Sequence, residues 1–235
     1  CDPLPPQGPG RAINKQIRDT NYQKVGPQFF PVPGAQNPPN FERFFGTDQA
    51  VWDSAPKNPV TPEKPIFRGG FLSNQQVAYL YARTSRQFGD VLVFRAKGPS
   101  FPDTRAGTAV TVPRQVRYWS VCQNEGATQR VVACTPDYRT PLEGGHFTVV
   151  ISDPKDRPKN ATAANGVAWL PWGGAYYDGV VIYRYMLPST GFDHAIQQIH
   201  PRQRARSVMG PYMPASGYCS TARFERGGWK ACITK

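Results

Sequence analysis

The chain has 235 residues, of which 25 are proline, 28 are basic and 16 are acidic, and 39% of it is hydrophobic. This length accommodates one sizeable core, or one domain with an extended segment. The net charge of +12 is compatible with an anionic partner, such as lipid headgroups, an acidic protein surface or a polyanionic glycan. The charge is scattered apart from one short basic run over residues 200–206, and this favours a solvated, solubilising surface. Nucleic acid is disfavoured, because the sequence shows no zinc-finger spacing, RNA-binding aromatic signature or basic helix stripe. No run of about 18 apolar residues is present, so no transmembrane helix is expected.

The first residue indicates how the chain is processed. A chain that begins at Cys instead of Met predicts a cleaved leader. Cys1 resembles the lipidated first residue of mature bacterial lipoproteins, whose thiol carries a diacylglycerol and whose several acyl chains give stable anchoring. Asp2 resembles the inner-membrane retention signal of Gram-negative lipoproteins. Together these resemblances imply a lipid anchor on the periplasmic face of the bacterial inner membrane.

The other four cysteines are spaced for two local disulfides. Cys122 and Cys134 flank a polar turn between two strand-like runs, so a hairpin would bring them face to face. Cys219 and Cys232 would close a short C-terminal loop around two glycines. Only this pairing is local in both halves, and it predicts an oxidising compartment. Four reduced, buried thiols are the alternative; a metal site is disfavoured because no C-x2-4-C spacing occurs.

The prolines divide the chain into two regions. Thirteen of the 25 lie in residues 1–66, and this density favours extended or polyproline backbone over helices and central strands. The same segment has too many aromatic residues for a solvated spacer, so it is expected to lie on a surface, either of its own domain or of a partner. We therefore predict a Pro-rich extended arm over 1–66 and a β-sandwich domain over 67–235.

A helix is predicted near the start of the domain, over residues 74 to 88. Ser73 is a suitable N-cap, and Gly89 would terminate the helix. The spacing i, i+3, i+4 and i+7 would place four side chains on one helical face, namely Val77, Leu80, Tyr81 and Thr84.

Further along the chain the pattern changes to strands. Apolar or alternating runs are separated by turn residues at the spacing of an antiparallel sandwich or barrel. A second short helix is expected over 193 to 199. The predicted strands cover residues 91–94, 115–122, 129–134, 146–152, 166–170 and 179–185.

Three aromatic-rich motifs carry a resemblance to a known family. They are 117–120 (Arg-Tyr-Trp-Ser), 167–173 (Val-Ala-Trp-Leu-Pro-Trp-Gly) and 183–188 (Tyr-Arg-Tyr-Met-Leu-Pro). In this order they resemble the C-terminal domain of an exported bacterial two-domain family of unknown function, over about residues 90–200. The resemblance implies a jelly-roll-like β-sandwich and export, and it transfers no active site. In this chain the Pro-rich arm stands in place of the companion N-terminal domain.

Motifs for catalysis or cofactor binding are not evident. The sequence has no Gly-x-Ser-x-Gly elbow, and Asp193 and His194, as neighbours on a helix, would point about 100° apart. His146, His194 and His200 lack metal-ligand spacing. No haem or phosphate-binding motif is present, so neither a cofactor nor a metal is expected.

One group of aromatic residues is a candidate binding patch. It would form a carbohydrate-stacking platform or a protein-binding surface, with ordinary core and loop packing as the alternative. We call it the aromatic patch, and its members are Trp169, Trp172, Tyr176 and Tyr177.

These features favour a non-enzymatic accessory lipoprotein, an extrinsic subunit of an inner-membrane protein complex contacted through the N-terminal arm. An electron-transfer or photosynthetic complex is one class of partner. The alternative is a module or hydrolase that acts on envelope glycans or small molecules through the aromatic patch. A free-standing surface lipoprotein, with its arm folded onto its own domain, is a third hypothesis.

Overall fold

The structure, a computed structural model, describes residues 35–44, 76–126, 130–173, 177–200 and 203–233. Within these ranges the chain is mainly β, as the sequence predicts, with ten strands and two short helices. The strands are β1 (Glu42–Phe44), β2 (Val77–Ser85), β3 (Val91–Lys97), β4 (Val116–Glu125), β5 (Val131–Pro136), β6 (Leu142–Glu143), β7 (His146–Ser152), β8 (Val167–Pro171), β9 (Asp178–Pro188) and β10 (Ala215–Cys219). The helices are α1 (Ala205–Met209) and α2 (Thr221–Cys232).

The strands form two sheets that face each other as a β-sandwich, which confirms the predicted fold class. The first sheet has the order β1-β2-β9-β4-β5, and every neighbouring pair is antiparallel. The second sheet has the order β10-β3-β7-β6. On its β6 side, β7 also pairs with β8, which runs parallel to it. Sequentially distant strands are therefore neighbours in both sheets.

The predicted helix over residues 74 to 88 is wrong, because β2 is a nine-residue strand followed by a single 3-10 turn. Leu80 and Thr84 are buried, whereas Val77 and Tyr81 are only half-buried, so the four do not share one face. Buried positions instead alternate along β2, and they match a ladder of nine residue pairs with β9. This long-range pairing and the β-branched and aromatic content outweigh the helical spacing.

The main core lies between the two sheets and is rich in aromatic side chains. Trp119 stacks on Phe147 with ring centroids 5.1 Å apart. Tyr183 contacts the same phenylalanine edge to face at 5.4 Å, and Phe94 contacts it at 6.4 Å. All four side chains are buried, so this cluster joins the two sheets through β3, β4, β7 and β9.

A second core lies on the other side of the second sheet, beneath α2. Because α2 covers that side, both faces of β3 and β7 are buried, and each strand is a continuous apolar run. Phe224 of α2 is the largest buried side chain in this group. We call the group the helix-side core, and its buried members are Val91, Val93, Val150, Ala161, Val167, Cys219, Phe224 and Cys232.

Both predicted disulfides are present. Cys122 and Cys134 face each other in the antiparallel register of β4 and β5, as a hairpin requires. Cys219, the last residue of β10, is bonded to Cys232, the last residue of α2. The segment between the second pair is helical and not the predicted loop, and Gly228 interrupts the helix with a φ of 58°.

The described part of the Pro-rich arm belongs to the sandwich. Residues 42–44 form β1, which pairs with β2 at the edge of the first sheet. Phe41 is only 3% exposed and lies in the main core, 5.8 Å from the ring of Phe94. The Ser216 hydroxyl donates to the carbonyl oxygen of Pro39. The predicted boundary at residue 66 lies outside the described residues, as does Cys1.

The helices are short. The helix expected over 193 to 199 is a 3-10 turn at Ile196–Gln198, and α1 begins six residues after position 199. Neither α1 nor α2 has the length and apolar character needed to cross a bilayer.

Candidate functional site

The structure separates the aromatic patch into two regions. Trp169 faces outward from β8 toward the helix-side core, where the Arg157 guanidinium lies 4.4 Å from its ring. Trp172 is 2% exposed and belongs to the main core. Tyr177 is 39% exposed, and Tyr176 lies outside the described residues. The described members therefore do not form one flat stacking platform.

Arg86 brings two of these aromatic residues together. Its guanidinium lies 5.9 Å from the ring of Trp172 and 5.5 Å from that of Tyr177. It also forms an ion pair with Asp153, and its backbone N–H donates to the Tyr177 carbonyl. This arrangement links β2, β7 and the segment between β8 and β9 at one end of the sandwich. Each ring face is held by a cation of the same chain.

Behind this cluster, the same end of the sandwich contains buried polar groups. The Gln123 side-chain amide donates to the carbonyl oxygens of Asn124 and Trp172. The Glu125 carboxylate is 1% exposed and forms an ion pair of 2.7 Å with Arg130. These contacts connect β4 to the loops that follow β4 and β8. Together they form a polar layer that covers this end of the main core.

Two of the three histidine rings contact backbone carbonyl oxygens. His146 Nδ1 is 2.9 Å from the Gly144 carbonyl oxygen, and His194 Nδ1 is 2.6 Å from that of Val208. Within the described ranges, no three His, Cys, Asp or Glu side chains are grouped so that they could hold a metal ion.

Two tyrosine hydroxyls lie inside the main core. The hydroxyls of Tyr183 and Tyr185 are 2.9 Å apart and bond to each other. Burial raises the pKa of both side chains well above the usual tyrosine range. These hydroxyls are neutral at physiological pH, and their mutual bond satisfies polar groups that would otherwise destabilise the core.

A concave feature with several charged side chains lies along β1, opposite α1. This opening has a volume of about 540 Å³, within the usual size range of ligand sites. We call it the β1–α1 groove. It is lined by Pro39, Asn40, Phe41, Glu42, Arg43, Ile199, Gln203, Arg204, Ala205, Arg206, Met213 and Pro214.

Three arginines give this groove its positive charge. The Arg43 side chain crosses to the segment before α1, where it donates to the carbonyl oxygens of Gln197 and Ile199, and burial lowers its pKa. Arg204 and Arg206 are exposed at the mouth. Glu42 is the one carboxylate in the lining, so the formal charge of the lining is positive.

The basic part of this groove belongs to a short run of charge in the sequence, residues 200–206, which by itself is typical of a solvated surface. Its partner across the groove comes from residues 39–43, more than 150 positions away in the chain. The pairing of β1 with β2 creates the concave shape. The sequence signal was therefore present, but the groove itself depends on a long-range contact.

Comparisons with known proteins give no functional information. No protein-family description and no curated protein matches the sequence. The chain is similar to the crystal structure of an uncharacterized protein from Burkholderia cenocepacia, with 15% identity, a TM-score of 0.43 and 94% of this chain covered. It is also similar to the VPA0106 protein from Vibrio parahaemolyticus, with 14% identity, a TM-score of 0.36 and 62% covered. The chain spans 47% of the first protein and 31% of the second.

Proposed function

We propose that this chain is a non-enzymatic accessory lipoprotein, anchored by a lipid on Cys1 at the periplasmic face of the inner membrane and bound there to a membrane protein complex. The observation that carries the proposal is the way the N-terminal segment joins the sandwich. Phe41 is buried in the main core, and the next three residues add a strand to the first sheet. The segment that would connect the proposed anchor to the domain is thus part of the sandwich from residue 39 to residue 44.

The disulfides support an exported location. Structural disulfides persist in oxidising compartments such as the periplasm and are rare in cytosolic proteins. Here both pairs bond elements of the folded sandwich, Cys122 with Cys134 across two strands and Cys219 with Cys232 across a helix. Their positions are those of structural bonds, and this favours folding outside the cytoplasm.

The charge of the chain supports a role in association. With a net charge of +12, the protein would be attracted to acidic subunits or to anionic lipid at a membrane. We propose a multi-subunit electron-transfer or photosynthetic complex as the partner class to examine first, with the arm along its subunits.

The alternative, a glycan-binding module or hydrolase built on the aromatic patch, receives less support from the geometry. A stacking platform needs exposed, coplanar rings, whereas Trp172 is buried and Trp169 faces the opposite side of the second sheet.

The test is gentle detergent extraction of native membranes, followed by size separation and mass spectrometry of the fractions that contain this chain. We expect stable co-migration with one large complex at fixed stoichiometry. Migration at the mass of the monomer would overturn the assignment as a subunit.

Variants of the first two residues test the anchor separately. Cys1→Ser removes the lipid acceptor and is expected to release the chain into the soluble periplasmic fraction. Asp2→Ser keeps the acceptor and is expected to move the chain from the inner to the outer membrane. If the unmodified chain is already soluble without detergent, the lipid anchor is wrong.

A further inference from the structure

We propose that the β1–α1 groove binds the phosphate headgroup of an anionic phospholipid, with Arg204 and Arg206 as its ligands. This inference rests on the proposed function only in that a bilayer is nearby. It assigns to the groove a membrane contact that is separate from the lipid on Cys1, and it gives the domain one preferred face toward the membrane.

The two arginines are available for an external anion. Most other arginines of the sandwich have internal partners: Arg86 pairs with Asp153 and Arg95 with Glu143. By contrast, no ion pair, hydrogen bond or ring contact within the described ranges involves the guanidinium of Arg204 or Arg206. Guanidinium groups bind phosphate oxygens through paired N–H donors, which makes Arg the appropriate residue type for this role.

The backbone holds the two arginines at the groove mouth. Ala205, which lies between them, is buried, and Met209 anchors the other end of α1 in the main core. The Ser207 hydroxyl donates to the Arg204 carbonyl oxygen, which fixes the first turn of α1. The backbone that carries the two exposed side chains is therefore held in place, and little backbone ordering is needed on binding.

The groove floor favours a lipid over a free phosphate. The groove lining includes the buried apolar side chains Phe41, Ile199 and Met213, which we take as the floor. An inorganic phosphate would use only the cationic mouth, whereas the glycerol and first acyl carbons of a lipid would also contact this floor. An apolar base below a cationic rim is the arrangement that an interfacial headgroup needs.

The position of the groove along the chain agrees with a membrane-facing role. Its lining includes residues 39–43, the segment through which the N-terminal arm joins the sandwich. Under the proposed anchoring, the chain from the membrane enters the described sandwich at this side. The proposed tether would strengthen this contact further, because it raises the local concentration of the lipid.

The experiment uses the full chain with Cys1→Ser, so that no acyl chain contributes. Binding is measured by flotation with phosphatidylcholine vesicles that contain or lack phosphatidylglycerol. We expect binding only with phosphatidylglycerol, and a loss of about 30-fold for R204Q/R206Q, which corresponds to ~2 kcal/mol at ~1 kcal/mol per basic residue. The matched control is R223Q/R226Q, which removes two exposed charges from α2, outside the groove lining, and should change binding less than about 3-fold.

Three outcomes would overturn the inference. Equal losses in both double variants would show general attraction by net charge. Full competition by soluble glycerol phosphate would assign the groove to a free phosphate ester. Binding of a polyglutamate peptide that R204Q/R206Q weakens, with no binding to vesicles, would assign the groove to an acidic protein segment. Because all these measurements use a chain without lipid, their failure is distinct from a failure of anchoring or of complex formation in native membranes.

Discussion

The main core and the helix-side core are both shielded from solvent, but different elements cover them. The main core is enclosed by two sheets and contains the large aromatic side chains Trp119, Phe147 and Tyr183 in mutual contact. The helix-side core is small and mostly aliphatic, and its cover is one kinked helix of twelve residues. A disulfide between Cys219 and Cys232 fastens that cover at its end.

The difference shows where noncovalent packing suffices and where it does not. A short isolated helix is marginal in water, and α2 also contains two adjacent glycines, which lower helix stability further. Gly217 lets the helix end approach β10 closely, because a Cβ at that position would collide with the Cys232 carbonyl. The covalent bond supplies the stability that a small core and a weak helix lack.

The largest expected effect comes from truncating the main core. Trp119→Ala removes a fully buried ring that contacts both sheets and should lower the free energy of unfolding by about 4 kcal/mol. The measurement is chemical denaturation followed by far-UV circular dichroism. Trp169→Ala is the matched control, because its half-buried ring lies on the helix-side core and its loss should be clearly smaller. Equal losses would contradict the ranking of the two cores.

Removing the C-terminal disulfide tests how the helix-side core is closed. The double variant C219S/C232S should lose about 3 kcal/mol, the usual contribution of a bond that closes a loop of this size. Hydrogen exchange should increase in α2 and remain slow in β4 and β9. Uniform acceleration across both sheets would show that α2 is not an independently opening unit.

Phe41→Ala tests whether the N-terminal segment is part of the main core. We expect a loss of about 3 kcal/mol, at the lower end for a buried Phe, because β1 is a short edge strand. Glu42→Ala is the control within the same segment, since its side chain is exposed, and it should change stability by less than about 0.5 kcal/mol. If Phe41→Ala leaves the free energy of unfolding unchanged, the N-terminal segment does not contribute to the main core, and the proposed anchoring role is weakened.

The smallest expected effect is a pH dependence at the edge of the main core. Asp137 accepts hydrogen bonds from the backbone N–H groups of Trp119 and Tyr138, and burial raises the pKa of its carboxyl. A raised folded-state pKa means that the folded state binds the proton more tightly. Stability should therefore fall as pH rises from the ordinary Asp pKa through the raised value.

The variant Asp137→Asn checks this assignment, because it cannot titrate. Its unfolding free energy should not show the decline that begins above the ordinary Asp pKa of about 4, whatever its absolute value. If the unfolding free energy of the variant declines with pH as it does in the unmodified protein, a titratable group other than Asp137 causes the decline. The measurement is urea denaturation at a series of pH values.

Several parts of the fold could be predicted from the sequence because their contacts are local. The bond between Cys122 and Cys134 could be predicted because the two cysteines lie only 12 positions apart, on the two strands of a hairpin. The predicted strand over 146–152 coincides with β7, since a continuous run of β-branched and apolar residues is typical of a strand buried on both faces. The mainly β class followed from the same alternation and turn residues.

Long-range contacts decided the rest. The segment that forms β2 matches both a helical and a strand period, and only its nine pairs with β9 select the strand. α2 was missed because adjacent glycines normally end a helix, whereas here the helix-side core and the disulfide hold it. The aromatic patch was proposed from sequence proximity, but alternation along β8 sends Trp169 to one side of the sheet while Trp172 packs in the main core.

By itself the sequence determined that this protein is a basic, disulfide-bonded, mainly β chain with a Pro-rich N-terminal region, because composition, local spacing and strand period are properties of neighbouring residues. The tertiary structure alone decided that residues 39–43 meet α1 to form a cationic groove. It also decided that α2 closes a second core. Both depend on segments far apart in the chain, whose encounter is set by the packing of the whole sandwich.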